Sequence, residues 1–120
     1  MSESSSFADL VQEVARHLYD VEERCVLTHL ARVDGHTADE KSMLQMLPLK
    51  LASMRRALGL LKQHQLVNDV CGASRVVAWA IDTSQFSQVV AHRARHALEH
   101  GPADERLAAI LRRAAAFHHA

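Results

Sequence analysis

Apolar residues recur at Phe7, Leu10, Val11, Val14 and Leu18, the i, i+3, i+4, i+7 spacing of one helix face. Tyr19, Val21, Val26, Leu27, Leu30 and Val33 continue the pattern out of phase, with the slip at Tyr19–Asp20. The spacing predicts two consecutive helices, or one kinked helix, over residues 7–33. The polar run MSESSS, residues 1–6, predicts a disordered N-terminus with Ser6 placed to cap the first helix. Asp34-Gly35 then breaks the pattern. Thr37 followed by Glu40 is the spacing of a capping box, which predicts a helix over 38–47 that buries Met43, Leu44 and Leu47 and stops at Pro48. The next stretch, LPLKLASMRRALGLLKQHQLV, predicts a helix over about 50–64 with Leu51, Met54, Leu58 and Leu61 on its inner face.

Beyond it the period changes from helical to alternating. Leu66 to Val70 is a short strand, CGASR with Gly72 a turn, and Val76 to Ile81 a second strand. Asp82-Thr83-Ser84 caps a further helix over about 84–99, with Phe86, Val89, Val90, Ala94 and Ala97 inward. Gly101-Pro102 ends it. A last amphipathic helix over 103–117 carries Leu107, Ile110, Leu111, Ala114 and Phe117. Three helices closed by a β-hairpin is a winged helix, the helix-turn-helix variant with a small β-hairpin. The predicted fold is therefore mainly α: an extended winged-helix domain over 7–99, lengthened by long N- and C-terminal helices, the latter at 103–117.

Composition narrows the class. Aromatic residues make up 4% of the 120 residues, so the core must be aliphatic, and the length fits one domain. No apolar h-region follows the first residues and no apolar run is long enough to span a bilayer, so cytosol or nucleus is the expectation. Cys25 and Cys71 lack a CxxC spacing and are read as reduced, half-buried small residues. The net charge is zero and the pI is 7.1, whereas a domain that binds DNA tightly alone usually has a pI above about 9. The charge is unevenly placed: residues 1–48 hold nine Asp or Glu against four Lys or Arg, and residues 49–120 hold five against ten. An acidic front half and a basic back half suit contact with a charged partner.

Three segments together resemble the N-terminal extended winged-helix domain of the alpha subunit of general transcription factor IIE and its archaeal counterpart. The first is LVQEVARHLYDVEERCVLTHL, residues 10–30, through Leu10, Val11, Val14, Ala15, Arg16, Tyr19, Glu22, Val26, Leu27 and Leu30. In the third helix Met54, Arg55, Leu58, Leu61, Leu66 and Val67 fall in step. The third segment is VAWAIDTSQFSQVVAHR, through Trp79, Ile81, Asp82, Phe86, Val89, Val90 and Arg93. The resemblance spans about residues 7–98. It implies a non-enzymatic module of basal transcription initiation that docks on the RNA polymerase II clamp, or the archaeal polymerase, and on a beta-like subunit. It further implies weak contact with promoter DNA and a location that is nuclear in a eukaryote and cytoplasmic in an archaeon. No four-cysteine set is present for the zinc ribbon that follows in that family, and the hairpin turn carries only Arg75. Both departures argue against strong DNA binding.

The candidate sites follow from the residues. With Leu51, Met54, Leu58 and Leu61 inward, the outer ridge of the third helix is Ala52, Arg56, Gly59, Leu60 and Gln63. Base readout wants long polar side chains along that ridge, and this one is small and apolar. Arg55, Arg56, Lys62 and Arg75 are the candidates for phosphate contact; four such contacts would give a salt slope of about −3 to −4. Gly59 beside an outward Leu60 suggests a protein contact. The stripe Leu107, Ile110, Leu111 and Phe117 is expected either to fold back on the core or to dock on a second subunit. His92, His96 and His100 follow one another at i+4 steps, but i to i+8 spans about 12 Å, so they are read as a solvated face and not as a metal site. No nucleophile elbow, phosphate loop or HExxH is present, so no catalysis, cofactor or small-molecule substrate is expected. Two further readings stay open: a free-standing dimeric winged-helix DNA-binding regulator, and a structural heterodimerisation domain.

Overall fold

The computed structural model describes residues 7–71 and 77–118. The apolar positions from Phe7 onward form two helices, α1 (Phe7–Leu18) and α2 (Val21–Arg32). The slip in phase is a break with a local cause. Asp20 is extended and starts α2, its amide donating to Glu23 Oε1 at 3.3 Å. Arg24 Nη2 donates to the carbonyls of Arg16 and Tyr19, at 3.5 and 3.3 Å, where the end of α1 leaves acceptors without helical donors. After α2 the Asp34–His36 turn takes positive φ at Gly35 and at His36.

The expected capping box at Thr37 and Glu40 does not form. Thr37–Asp39 is a strand, β1, and α3 runs Glu40–Met46. Asp39 is the cap: its carboxylate accepts from the Ser42 amide at 2.6 Å, which holds the Asp39 pKa below the usual carboxylate range. Thr37 donates its hydroxyl to the Gly35 carbonyl at 2.9 Å, and its backbone joins the sheet. Of the residues expected inward from this helix, Met43 is buried while Leu44 and Leu47 are partly so.

Helix α4 (Leu51–Gln63) follows Pro48, then β2 (Val67–Cys71) and β3 (Val77–Ile81). The sheet is antiparallel with order β1-β3-β2, so β3 is central, with Ala38 opposite Trp79 and Asp69 opposite Trp79 on the other side. The sequence pattern predicted the hairpin but not β1, because three residues carry no readable period. The turn with Arg75, like Ser6, lies outside the described residues. Asp82 fastens the base of the hairpin: its carboxylate accepts from Asn68 Nδ2 at 3.0 Å and Ser84 Oγ at 2.7 Å, and its carbonyl from the Phe86 amide at 2.9 Å. Helix α5 (Phe86–His100) then begins two residues later than expected.

The last helix, α6 (Glu105–His118), settles one open alternative. It lies against α5 and α1, with Leu107 at 8%, Ile110 at 1% and Ala114 at 0% exposure. Phe117 meets the Phe7 ring edge-on at 5.9 Å, Phe7 meets Phe86 at 5.4 Å, and Leu111 is half-buried against the same core. The stripe proposed as a docking face for a second subunit therefore closes on its own domain. Asp104 caps α6 through the amides of Arg106 and Leu107 and accepts from His17 Nε2 at 3.1 Å, which ties the α5–α6 connection to α1. At the end of α5 a Cβ on Gly101 would lie 2.9 Å from the Ala97 carbonyl oxygen of the last turn, closer than a side chain tolerates. The whole is a mainly helical fold around one aliphatic core, with a small three-stranded sheet on one side. No helix among the described residues is long and apolar enough to cross a membrane.

Candidate interaction surfaces

Helix α4 presents the outer ridge that its sequence predicts: Ala52, Arg56, Gly59, Leu60 and Gln63 are all exposed, while Met54, Ala57, Leu58 and Leu61 are buried. Leu51, expected inward, is instead exposed, because it sits in the first turn before the helix reaches the core. Among the described residues nothing lies within 4 Å of a Cβ built on Gly59, so the ridge is open at that point. Leu60 remains available to a partner.

The cations of α4 are less available than their exposure suggests. Arg55 Nη2 donates to Glu40 Oε1 at 3.0 Å, and its Nε faces the same carboxylate. Trp79 Nε1 donates to Glu40 Oε2 at 3.3 Å, so Glu40 braces α3 to both α4 and β3. The Arg55 hydrogen bond, with help from Trp79, outweighs the effect of burial and keeps the Glu40 pKa low; the same bond raises Arg55. Arg56 Nη1 lies 4.0 Å from Glu22 Oε1. Lys62 Nζ lies 2.7 Å from Asp69 Oδ1, and that hydrogen bond lowers the Asp69 pKa. Three of the four phosphate-contact candidates thus have a carboxylate partner inside the chain, and the fourth, Arg75, lies outside the described residues. Two of these pairs join the acidic front half to the basic back half. The asymmetry along the sequence is met in part by these two pairs across the fold.

The surface that sequence reasoning missed is a groove of about 840 Å³ at the C-terminal end of α4. Leu18 and Tyr19 at the end of α1 form one wall, and Gln63, His64 and Gln65 at the end of α4 form another. The α5 face completes it with Gln85, Gln88, Val89, His92, Arg93, His96 and Ala97. Tyr19 and His64 share a hydrogen bond of 2.7 Å between the hydroxyl and Nδ1. Burial pushes the Tyr19 hydroxyl up to about 12 against the opposing pull of Arg93, with Glu23 adding to the rise. Burial, with Arg93 second, holds His64 below its usual value and so favours the neutral imidazole.

One backbone feature at this groove is strained. The Leu66 amide donates to the Leu61 carbonyl at 3.0 Å and the Gln65 amide to Lys62 at 2.9 Å, the paired bonds that close a helix with a left-handed residue. That residue is Gln65, at φ 67°, where glycine is usual.

The histidine ridge divides in space: His92 and His96 line the groove, while the His100 ring lies against His96 at a tilt of 39°, ring centres 4.3 Å apart. Among the described residues no group of three His, Cys, Asp or Glu side chains is placed to hold a metal ion. The sequence signals for the groove were Arg93 between His92 and His96, and the i, i+3 pair Gln85 and Gln88; nothing local says that α1 and α4 would face them. Neither protein-family models nor curated proteins yield a match to this chain.

Proposed function

We propose that this chain is an extended winged-helix module of the factor IIE alpha type, which works by binding protein. The order α2, β1, α3, α4, β2, β3 supports the winged-helix reading, with β1 pairing the hairpin as the third strand and α4 in the position of a recognition helix. In this reading the module docks on the clamp of RNA polymerase II, or the archaeal polymerase, and on a beta-like partner, and has no catalytic role. It acts in the nucleus of a eukaryote or the cytoplasm of an archaeon.

One observation carries the preference for protein over DNA: Arg55, Arg56 and Lys62 on α4 face Glu40, Glu22 and Asp69 of the same chain. A phosphate contact from α4 would have to displace a carboxylate already in place. Promoter DNA is then touched weakly and without sequence selectivity, and the salt slope of the isolated chain is shallow, about −2 or less in magnitude. A dimeric DNA-binding regulator would need a free terminal stripe, whereas Leu107 and Ile110 are core residues here.

The test is co-purification of the tagged chain from cells of its source, followed by mass spectrometry, with a DNA titration at low and high salt beside it. Polymerase subunits and a second winged-helix subunit are the expected companions. Tight, sequence-selective DNA binding by the isolated chain would overturn the reading. A lone heterodimer partner without polymerase would leave only the structural heterodimerisation domain.

A further inference from the structure

Resting on the reading of this chain as a protein-binding module, we propose that the groove between α1, α4 and α5 is the docking site for a short acidic peptide segment of a partner protein.

The charge inventory comes first. Among the described residues lining the groove, Arg93 is the permanent cation, His64, His92 and His96 stand beside it, and none is a carboxylate. In a chain with 14 acidic and 14 basic side chains this is a local excess of one sign. Arg93 also differs from the cations of α4. Those face carboxylates at 2.7 to 4.0 Å, whereas no ion pair among the described residues involves Arg93. It is exposed, and its charge acts on both Tyr19 and His64 across the groove. Glu23, whose charge acts on Tyr19, lies outside the lining and accepts from the Asp20 amide.

Shape and neutral polar groups fit a peptide. The volume of about 840 Å³ falls within the range of roughly 300–1,000 Å³ typical of ligand sites. Four glutamines project from two walls, Gln63 and Gln65 on one, Gln85 and Gln88 on the other. Each amide both donates and accepts, which matches the alternating groups of an extended main chain. Leu18, Val89 and Ala97 supply apolar contact. A single-stranded nucleic acid fits less well. It needs a row of cations and open aromatic faces for stacking, whereas the groove offers one permanent cation and a Tyr19 whose hydroxyl is engaged by His64. The strained Gln65 is consistent with a site: its left-handed backbone is tolerated where a glycine would cost less.

The experiment is an NMR titration of the full chain, labelled with ¹⁵N, with a short oligoglutamate peptide as probe and oligolysine as control. Saturable shifts of the side-chain amides of Gln63, Gln65, Gln85 and Gln88 are expected with oligoglutamate alone, weakening as salt is raised. Arg93→Gln lowers the affinity about tenfold, the effect of one charge-assisted hydrogen bond. Arg93→Glu abolishes it and admits oligolysine. An unchanged thermal transition shows that these variants stay folded, as an exposed position allows. The proposal is overturned if the four amides do not shift, if the shifts fall instead around Arg55 and Arg56, or if Arg93→Gln binds as tightly as the parent. Inorganic phosphate giving the same shifts would mark a free-anion site, and displacement by oligothymidylate a nucleic-acid site; either overturns the peptide assignment. Polymerase co-purification is read separately, so its success with a failed titration removes the groove alone.

Discussion

The outer face of α4 and the groove at its C-terminal end share a helix and differ in what their charges meet. On the face, Arg55, Arg56 and Lys62 are exposed yet each lies beside a carboxylate. In the groove, Arg93 looks onto glutamines, histidines and Tyr19, with no carboxylate among the described residues of the lining. Exposure alone does not separate them, since Arg93 is exposed like the α4 cations. Pairing does, because an anion arriving at α4 must compete with a carboxylate already beside each cation. The lesson is that a basic residue is a candidate contact only after its partners within the fold are known.

The sharpest test of the α4 face truncates its two sides. Leu58→Ala empties a fully buried position and should destabilise by about 2–5 kcal/mol, whereas Leu60→Ala should change stability by under about 0.5 kcal/mol and instead weaken partner capture. Chemical denaturation reads both, and equal losses would place Leu60 in the core. Ile110→Ala belongs with Leu58→Ala, since α6 is a core helix; a loss confined to partner binding would return its stripe to the surface.

For the groove, the next largest effect is spectroscopic. Tyr19 is the only tyrosine, so absorbance of the tyrosinate reports it alone. It should titrate near 12 in place of 10, and Arg93→Gln should push it higher still, because Arg93 works to lower it. A raised folded value means that the contribution to stability is full below pH 10 and is lost as pH rises through about 12. A midpoint near 10 in the folded protein would mean that Tyr19 is solvated and the groove wall is open.

Gln65→Gly comes next. Relieving the left-handed strain should stabilise the fold by about 1 kcal/mol while weakening oligoglutamate binding. A stabilised variant with full binding would separate the strain from the site.

The smallest effect lies on the α4 side. Glu40 has its pKa lowered by Arg55 and Trp79, so its contribution is full above the ordinary value of 4.5 and falls away as pH drops through the lower folded value. Glu40→Gln should flatten that acid limb and alter the emission of Trp79, the only tryptophan, without changing groove binding. An unaltered acid limb would mean that Arg55 is free for phosphate after all.

Periodicity was a sound guide where elements are long. The slip at Tyr19–Asp20, the inner positions Met54, Leu58 and Leu61, the hairpin and both final helices were all legible, each within a few residues. It misled at Thr37, where a capping motif three residues from a glutamate turned out to be a strand, the cap of α3 being Asp39, and at Glu40, whose carboxylate belongs to Arg55 and Trp79. The three groups of that brace are 39 positions apart at the extremes, and nothing local connects them. The groove failed for the same reason: its walls are drawn from three separate helices.

The sequence by itself determined which residues are apolar at helical or strand spacing, and so the elements, their inner faces and an aliphatic core. Those follow from local rules of period and capping that act over a few residues. Only the tertiary structure decided that β1 joins the sheet, that α6 closes on α1 and α5, that Glu40 and Glu22 of the acidic half meet Arg55 and Arg56 of the basic half, and that Arg93 faces an open groove. Each of these depends on groups far apart in the chain, whose meeting is set by how the helices pack and not by any spacing between neighbours.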